Sequence, residues 1–212
     1  MDRRRQQGFS LVEILVVITL IGLLMTFGFN AMQSARESGN TTKCADNLRQ
    51  IGQQLLLFKD QRNKGRWPKE VGARFLLSLH KYREVTGRGC EVFLCPGTQD
   101  FNDLGASGEA GSSYDDWDNI TSDTISYAGR DPVAYPIRGA NDGEQVLAAD
   151  DNEFAKNHQK VINVLYGDGA VRPYDIYIEG QEILTAYPEY EDMGIPVGPE
   201  SPVEAFQVLR KD

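Results

Sequence analysis

The chain has 212 residues, of which 41% are hydrophobic and 25% charged, and its formal net charge at pH 7 is −9. This acidic balance lacks the clustered Lys and Arg that phosphate backbones require, so nucleic acid is excluded as an expected partner. Beyond an apolar N-terminal segment, about 150 residues remain, which is enough for one compact domain. The three cysteines, Cys44, Cys90 and Cys95, allow one disulfide and one remaining thiol, in any of three pairings.

The N-terminal segment has the features of a membrane anchor with one exception. Arg3–Arg5 precede the apolar run Ile14–Phe29, and basic residues mark the cytoplasmic side of a membrane helix. From Gln6 to Ala35 the only ionisable side chain is Glu13. A carboxylate near the centre of a bilayer costs roughly 2.5–3.5 kcal/mol, so Glu13 requires a specific role.

Gly8 separates a basic leader, residues 1–8, from the apolar residues 9–29. Cleavage after Gly8 would create a new N-terminus at Phe9, one helical turn before Glu13 on the same helix face. The new ammonium group and the Glu13 carboxylate could then neutralise each other, either within one chain or between neighbouring chains.

The segment from Arg5 to Ile18, RQQGFSLVEILVVI, resembles the processing and methylation signature of type IV pilins and type II secretion pseudopilins. The resemblance implies that a prepilin peptidase cuts between Gly8 and Phe9, that Phe9 is N-methylated, and that Glu13 aligns subunits during assembly. It also implies a single-pass protein of the bacterial inner membrane, with a cytoplasmic N-terminus and a periplasmic head.

The function implied by this resemblance is structural and not enzymatic. The chain would be a subunit of a type IV pilus or a type II secretion-like filament, assembled through its N-terminal helix. Its partners would be the prepilin peptidase, other pilin-like subunits, the inner-membrane assembly platform and the lipid bilayer. The alternative is a permanently anchored periplasmic binding or sensor domain that does not polymerise.

Residues 30–64 extend the helix with an amphipathic pattern. The apolar residues recur at steps of four and three, as one face of a helix requires, at positions Cys44, Leu48, Ile51, Leu55 and Phe58. Without a proline in this stretch, one helix from about Phe9 to Gln61 is predicted. The expected fold class is α+β and pilin-like, with this long helix packed on a small antiparallel sheet.

A globular α+β head is predicted over residues 65–178. Trp67-Pro68 is expected to open a second helix that carries an exposed His80, with Pro68 in the first turn. Val92–Leu94 is a strand candidate. An extended strand would hold Cys90 and Cys95 too far apart for a disulfide, which favours Cys44–Cys95.

Four strands and a tail complete the predicted architecture. The strands are Thr124–Tyr127, Gln145–Ala149, Val161–Tyr166 and Ala170–Tyr174. Gly167-Asp168-Gly169 makes a hairpin turn between the last two, because glycine adopts positive φ without strain. Residues 179–212 are expected to form a tail, with a short helix at Val203–Leu209 that either folds back on the head or stays loose.

A second resemblance concerns His158, which precedes Asp168-Gly169 by nine intervening residues. This spacing is similar to a C-terminal signature of prepilin-like proteins abundant in planctomycete-type bacteria, as are the landmarks Ala45–Gly52, Phe93–Pro96 and Ser126-Tyr127. It implies a fold and a subunit class but no ligand.

Asp150, His158 and Asp168 could converge near the hairpin turn. We expect a hydrogen-bonded network that fixes loops, with no cofactor and no catalytic residue. A site for calcium or another divalent metal is the alternative.

Overall fold

The computed structural model describes residues 10–98, 112–120, 124–139, 142–152 and 157–211. The chain divides into two compact units, Met1–Gly39 and Asn40–Asp212. Helix α1 (Leu11–Leu57) contributes residues to both units, and Phe58–Arg62 continue it as a π-helix. The predicted long helix is therefore confirmed within the described residues, since no proline interrupts the backbone hydrogen bonds.

The second unit contains a five-stranded antiparallel sheet. Its strands are β1 (Tyr127–Arg130), β2 (Val146–Asp150), β3 (Val161–Tyr166), β4 (Val171–Asp175) and β5 (Leu209–Arg210). The spatial order is β4-β3-β2-β1-β5, and each neighbouring pair is antiparallel. The predicted α+β class, a long N-terminal helix with an antiparallel sheet, is confirmed.

The β3–β4 hairpin follows the turn chemistry of its sequence. Gly169 has φ 81°, a conformation that glycine adopts without strain, and the Tyr166 N–H donates to the Ala170 carbonyl oxygen at 2.9 Å. In the paired register Pro173 of β4 lies opposite Asn163 of β3. The predicted hairpin is confirmed, with each strand in place to within one residue.

Apolar side chains are buried on both faces of the sheet. On one face, the α1 stripe Cys44, Leu48, Ile51 and Leu55 is fully buried and shares a core with α2 (Ala73–Lys81). On the other face, β-strand residues share a second core with the C-terminal segment, including Ile195, Phe206 and Leu209. The second core explains why every residue of β1 and β2 is buried, as a sheet covered on both sides requires.

Several local predictions in the head are wrong. The strand predicted at Thr124–Tyr127 begins only at Tyr127 and runs to Arg130 as β1. Helix α2 begins at Ala73, after Gly72 with φ 65°, so Trp67-Pro68 precede the helix and do not open it. The segment Gly87–Phe93 is a 3-10 helix and not a strand, with the Leu94 N–H donating to the Glu91 carbonyl oxygen at 3.1 Å. In this helical form Phe93 is buried in the core and Val92 packs against it, while Leu94 follows the helix in an extended conformation.

The C-terminal segment differs from the predicted tail. It forms α3 (Gln181–Ala186), α4 (Tyr190–Met193) and a 3-10 turn at Glu204–Phe206 before β5. The predicted helix Val203–Leu209 is therefore limited to one turn. Leu209 pairs with Arg130 of β1, so residues near the end of the chain complete the sheet of the head.

Candidate functional site

The first turn of α1 is held by side-chain and backbone groups of Ser10 and Glu13. The Ser10 N–H donates to Glu13 Oε2 at 2.8 Å, and the Val12 N–H donates to Ser10 Oγ at 3.4 Å. The bond from Ser10 to Glu13 is half of a capping box, and the Ser10 hydroxyl caps the helix at Val12 and not at Glu13, so both bonds satisfy amides that the helix leaves unpaired. The predicted cleavage residues Gly8 and Phe9 lie outside the described residues.

The N-terminal part of α1 exposes its large apolar side chains. They are Leu11, Val12, Ile14, Leu15, Val16, Val17, Ile18, Leu20, Ile21, Leu23, Leu24 and Met25, exposed by 46% to 83%. A continuous apolar surface of this kind marks a site for a protein or membrane partner. Across the part of the chain that the structure describes, we find no helix with both the length and the apolar character needed to cross a membrane.

The head contains a buried disulfide. Cys44 of α1 and Cys95, which follows the 3-10 helix Gly87–Phe93, are bonded with their Cα atoms 5.2 Å apart. Both residues are buried. This is the pairing that the sequence favours, although the extended strand assumed between Cys90 and Cys95 is a 3-10 helix. Cys90 is a buried free thiol.

His158 lies against this disulfide. Its Nε2 is 3.4 Å from Cys95 Sγ and 3.6 Å from Asp150 Oδ2, while its Nδ1 is 3.2 Å from Thr41 Oγ1. His158 and Asp150 are both buried. A buried histidine and carboxylate are tolerated only when polar groups surround them, and the neighbouring residues supply such groups.

Asp150 is the last residue of β2, and Asn163 of β3 fixes its carboxylate. The Asn163 N–H and Nδ2 donate to Asp150 Oδ2 at 2.7 and 2.8 Å. Asn163 Nδ2 also lies 3.3 Å from the Thr41 carbonyl oxygen. We call Thr41, Cys44, Cys95, Asp150, His158 and Asn163 the disulfide cluster. It joins α1 to β2 and β3 through the disulfide and through buried and partly buried polar contacts.

Asp168, the third residue predicted to converge with Asp150 and His158, lies beyond the opposite end of strand β3 from His158. His158 precedes β3 and Asp168 follows it, so the six residues of the strand, about 20 Å long, separate them. Asp168 accepts a hydrogen bond from the Ala170 N–H at 2.9 Å and pairs with Arg172 at 2.8 Å. The structure therefore brings together two of the three candidate residues and places Asp168 in the hairpin turn.

A second cysteine–histidine pair occurs in the head. Cys90 Sγ is 3.4 Å from His80 Nδ1, and His80 Nε2 is 3.0 Å from Asp115 Oδ1. The order thiol, imidazole, carboxylate resembles that of thiol hydrolases, but burial and the nearby Asp115 charge raise the pKa of the Cys90 thiol to about 11. Such a thiol is protonated and buried, which does not suit a nucleophile. His80 is buried, so its predicted exposure is wrong.

Two members of the disulfide cluster were missed by sequence reasoning. Asn163 had a usable signal, since it is a polar residue inside the otherwise apolar run Val161–Leu165. Thr41 had none, because a threonine on a polar helix segment is unremarkable until the fold places His158 beside it.

Comparisons with known proteins identify the N-terminal segment. A family model described as the prokaryotic N-terminal methylation motif matches residues 3–29. The match supports a type IV pilin-like protein of the prepilin type, processed at its N-terminus. No curated protein and no solved structure matches the chain. The family-model match ends before the head, so the resemblance at His158 and Asp168-Gly169 stays a prediction.

Proposed function

We propose that this chain is a pilin or pseudopilin subunit that a prepilin peptidase cuts between Gly8 and Phe9. Phe9 is then N-methylated, and the apolar helix Phe9–Phe29 holds the subunit in the inner membrane before assembly. Packing of these helices builds a type IV pilus or type II secretion-like filament. The observation that carries this proposal is the methylation motif matched over residues 3–29.

The exposed apolar surface of α1 supports assembly as the role of this segment. Twelve large apolar side chains between Leu11 and Met25 are exposed, and the only charge among them is Glu13. Burying such side chains is worth about 25 cal/mol per Å² of apolar surface removed from water. Either lipid or like helices can provide that burial, as a subunit that moves from membrane to filament requires.

Glu13 gives the packed helices a register. A carboxylate in an apolar bundle is costly unless it is paired. Cleavage after Gly8 would leave an ammonium group at Phe9, four residues before Glu13 in the sequence. Pairing Glu13 of one subunit with the Phe9 ammonium of a neighbour would neutralise both groups and fix the axial offset between subunits.

The disulfide supports a head outside the cytoplasm. Disulfides persist in oxidising compartments such as the bacterial periplasm, and they are rare in the cytosol. A Cys44–Cys95 bond therefore fits the orientation that Arg3–Arg5 predict, with the leader cytoplasmic and the head periplasmic.

Coexpression with a prepilin peptidase tests the proposal. We expect the mature chain to begin at N-methylated Phe9, measured by mass spectrometry of the N-terminal peptide. Gly8→Val should block cutting, whereas the control Gly22→Ala, at a position with open space around it, should be cut normally. An uncut chain, with an active peptidase that cuts a known prepilin, would overturn the proposal in favour of a permanently anchored periplasmic domain.

A further inference from the structure

We propose that Cys44, Cys95 and His158 form a zinc site in the reduced protein, with the Asp150 carboxylate beside His158. One sulfur from each cysteine and one ring nitrogen of His158 all lie within 4.8 Å of one another. The disulfide and the zinc site are then two states of the same group of residues. This inference does not depend on how the N-terminal helix assembles.

The donor set suits zinc. Thiolate and imidazole ligands in a tetrahedral arrangement are typical of structural zinc sites, with Zn–S distances of about 2.3 Å and Zn–N distances of about 2.0–2.1 Å. Two sulfurs on one zinc ion lie about 3.8 Å apart in that geometry. Breaking the disulfide allows the sulfurs to separate by this amount, and His158 Nε2 is already 3.4 Å from Cys95 Sγ.

The surrounding residues can hold the ligands in the required form. A histidine that binds zinc through Nε2 must carry its proton on Nδ1, and Thr41 Oγ1 is 3.2 Å from Nδ1 and can accept it. Asn163 donates two hydrogen bonds to Asp150 Oδ2, which is 3.6 Å from His158 Nε2. Partners of this kind orient metal ligands and tune their basicity.

Charge and burial favour a structural site over a catalytic one. Two thiolates neutralise the zinc charge, and the hydrogen bonds from Asn163 stabilise the nearby carboxylate. All the proposed ligands are buried, so the site is closed to substrates. In this state zinc would replace the covalent link between α1 and the segment at Cys95.

Passing from the disulfide to the zinc site requires a two-electron reduction. A dithiol or phosphine reductant supplies two electrons and becomes oxidised, while two protons are taken up, so that the Cys44–Cys95 bond becomes two thiols. A zinc ion then binds both sulfurs, and the two thiol protons are released to solvent. Reoxidation by molecular oxygen takes two electrons from the two zinc-bound thiolates, re-forms the Cys44–Cys95 bond and releases zinc.

The pair Cys90 and His80 supplies a matched control within the chain. It has the same sulfur-to-nitrogen separation, 3.4 Å, but only one thiol. His80 also contacts the Val85 carbonyl oxygen and Asp115. We expect no zinc binding at this pair.

The test uses the full chain in detergent, reduced with a phosphine and titrated with Zn²⁺ alone. We expect one zinc per chain, with a Kd below about 0.1 µM. Cobalt in place of zinc should show thiolate charge-transfer absorption. Cys44→Ser should abolish binding, and His158→Ala should weaken it at least about 100-fold. Cys90→Ser and His80→Ala should leave both the stoichiometry and the Kd unchanged.

Two outcomes would overturn the inference. One is a reduced chain that binds no zinc, and the other is zinc that binds equally well to His158→Ala. If reduction unfolds the head, circular dichroism provides the readout: refolding on zinc addition supports the site, and a chain that stays unfolded with zinc rejects it. Air-oxidised protein should bind no zinc in either case.

Discussion

Gly72 and Gly129 touch through their backbones where α2 meets the sheet. The Gly72 N–H donates to the Arg130 carbonyl oxygen at 3.1 Å, and the Gly72 carbonyl oxygen occupies the space where a Cβ on residue 129 would project. Gly72 also has φ 65°, which side chains rarely allow. These two glycines therefore set how closely helix α2 approaches strand β1.

We expect Gly129→Ala to lower the free energy of unfolding by about 1–3 kcal/mol. The new methyl group would overlap the Gly72 carbonyl oxygen and push the start of helix α2 away from strand β1. Gly39→Ala is the control, because a Cβ there meets open space on a helix. It should be neutral or raise stability by up to about 1 kcal/mol. Urea denaturation of the full chain in detergent measures both, and equal stability of the two variants would contradict the close approach.

Asp131 links the loop after β1 to β5 and should make stability depend on acid pH. Burial alone would raise the pKa of Asp131, but the Ala134 and Val133 N–H groups and the Arg210 guanidinium lower it overall. The pKa of Asp131 is therefore lower in the folded than in the unfolded chain. The ionised carboxylate stabilises the folded state at pH values above the unfolded pKa, and this stabilisation disappears as the pH falls through the folded pKa.

The substitution Asp131→Asn tests this dependence. We expect the variant to be less stable than the parent at pH 7 and the difference to shrink as the pH falls below about 4. Asp118→Asn, at an exposed position, serves as the control. Thermal unfolding from pH 7 to pH 2 measures the difference, and a gap that stays constant with pH would contradict the role assigned to the Asp131 charge.

Cys90 should resist alkylation in the folded protein. The thiol is buried and its pKa is raised to about 11, so thiolate is scarce at pH 8. We expect iodoacetamide to label Cys90 fully in denaturant and at least about tenfold more slowly in the native state. Mass spectrometry of the tryptic peptides gives the rates. Rapid native labelling would show that the segment around Cys90 opens readily.

Glu13 has two separable roles, a helix cap and a charge. Glu13→Gln keeps an oxygen for the Ser10 N–H but removes the charge, because Gln also serves in a capping box. Glu13→Ala removes both, and Ser10→Ala removes only the hydroxyl contact with the Val12 N–H.

If the charge directs assembly, Glu13→Gln and Glu13→Ala should both lose filament incorporation, while Ser10→Ala keeps it. Immunoblots of sheared filaments, from cells that express the assembly platform, give the measurement. Normal incorporation of Glu13→Gln would show that the cap, and not the charge, is what the filament needs.

Local patterns were enough to predict much of the fold. The stripe of Cys44, Leu48, Ile51 and Leu55 follows helical periodicity, and the turn at Gly167–Gly169 follows glycine chemistry. Strand β5 was missed because two residues, Leu209 and Arg210, are too few to show alternation. The run Val92–Leu94 has only three residues, and in the folded head Val92 and Phe93 belong to a 3-10 helix.

The disulfide cluster was only partly predictable, because its contacts are distant in sequence. Cys95 and His158 are 63 positions apart, and Thr41 and His158 are 117 apart. Asp150 and His158 meet because β2 and β3 are antiparallel neighbours. Asp168 does not join them, since the length of β3 lies between it and His158.

The position of Pro173 in β4 affects how copies of this chain can associate. The Ile176 N–H donates to the Lys160 carbonyl oxygen beside β3, so the alternation of the strand turns the amides of residues 173 and 175 outward. Proline has no N–H, and the Asp175 N–H donates to Glu179 Oε1 at 3.3 Å. Two amides on this edge of the sheet are therefore unavailable to another strand, which disfavours edge-to-edge pairing of copies through β4.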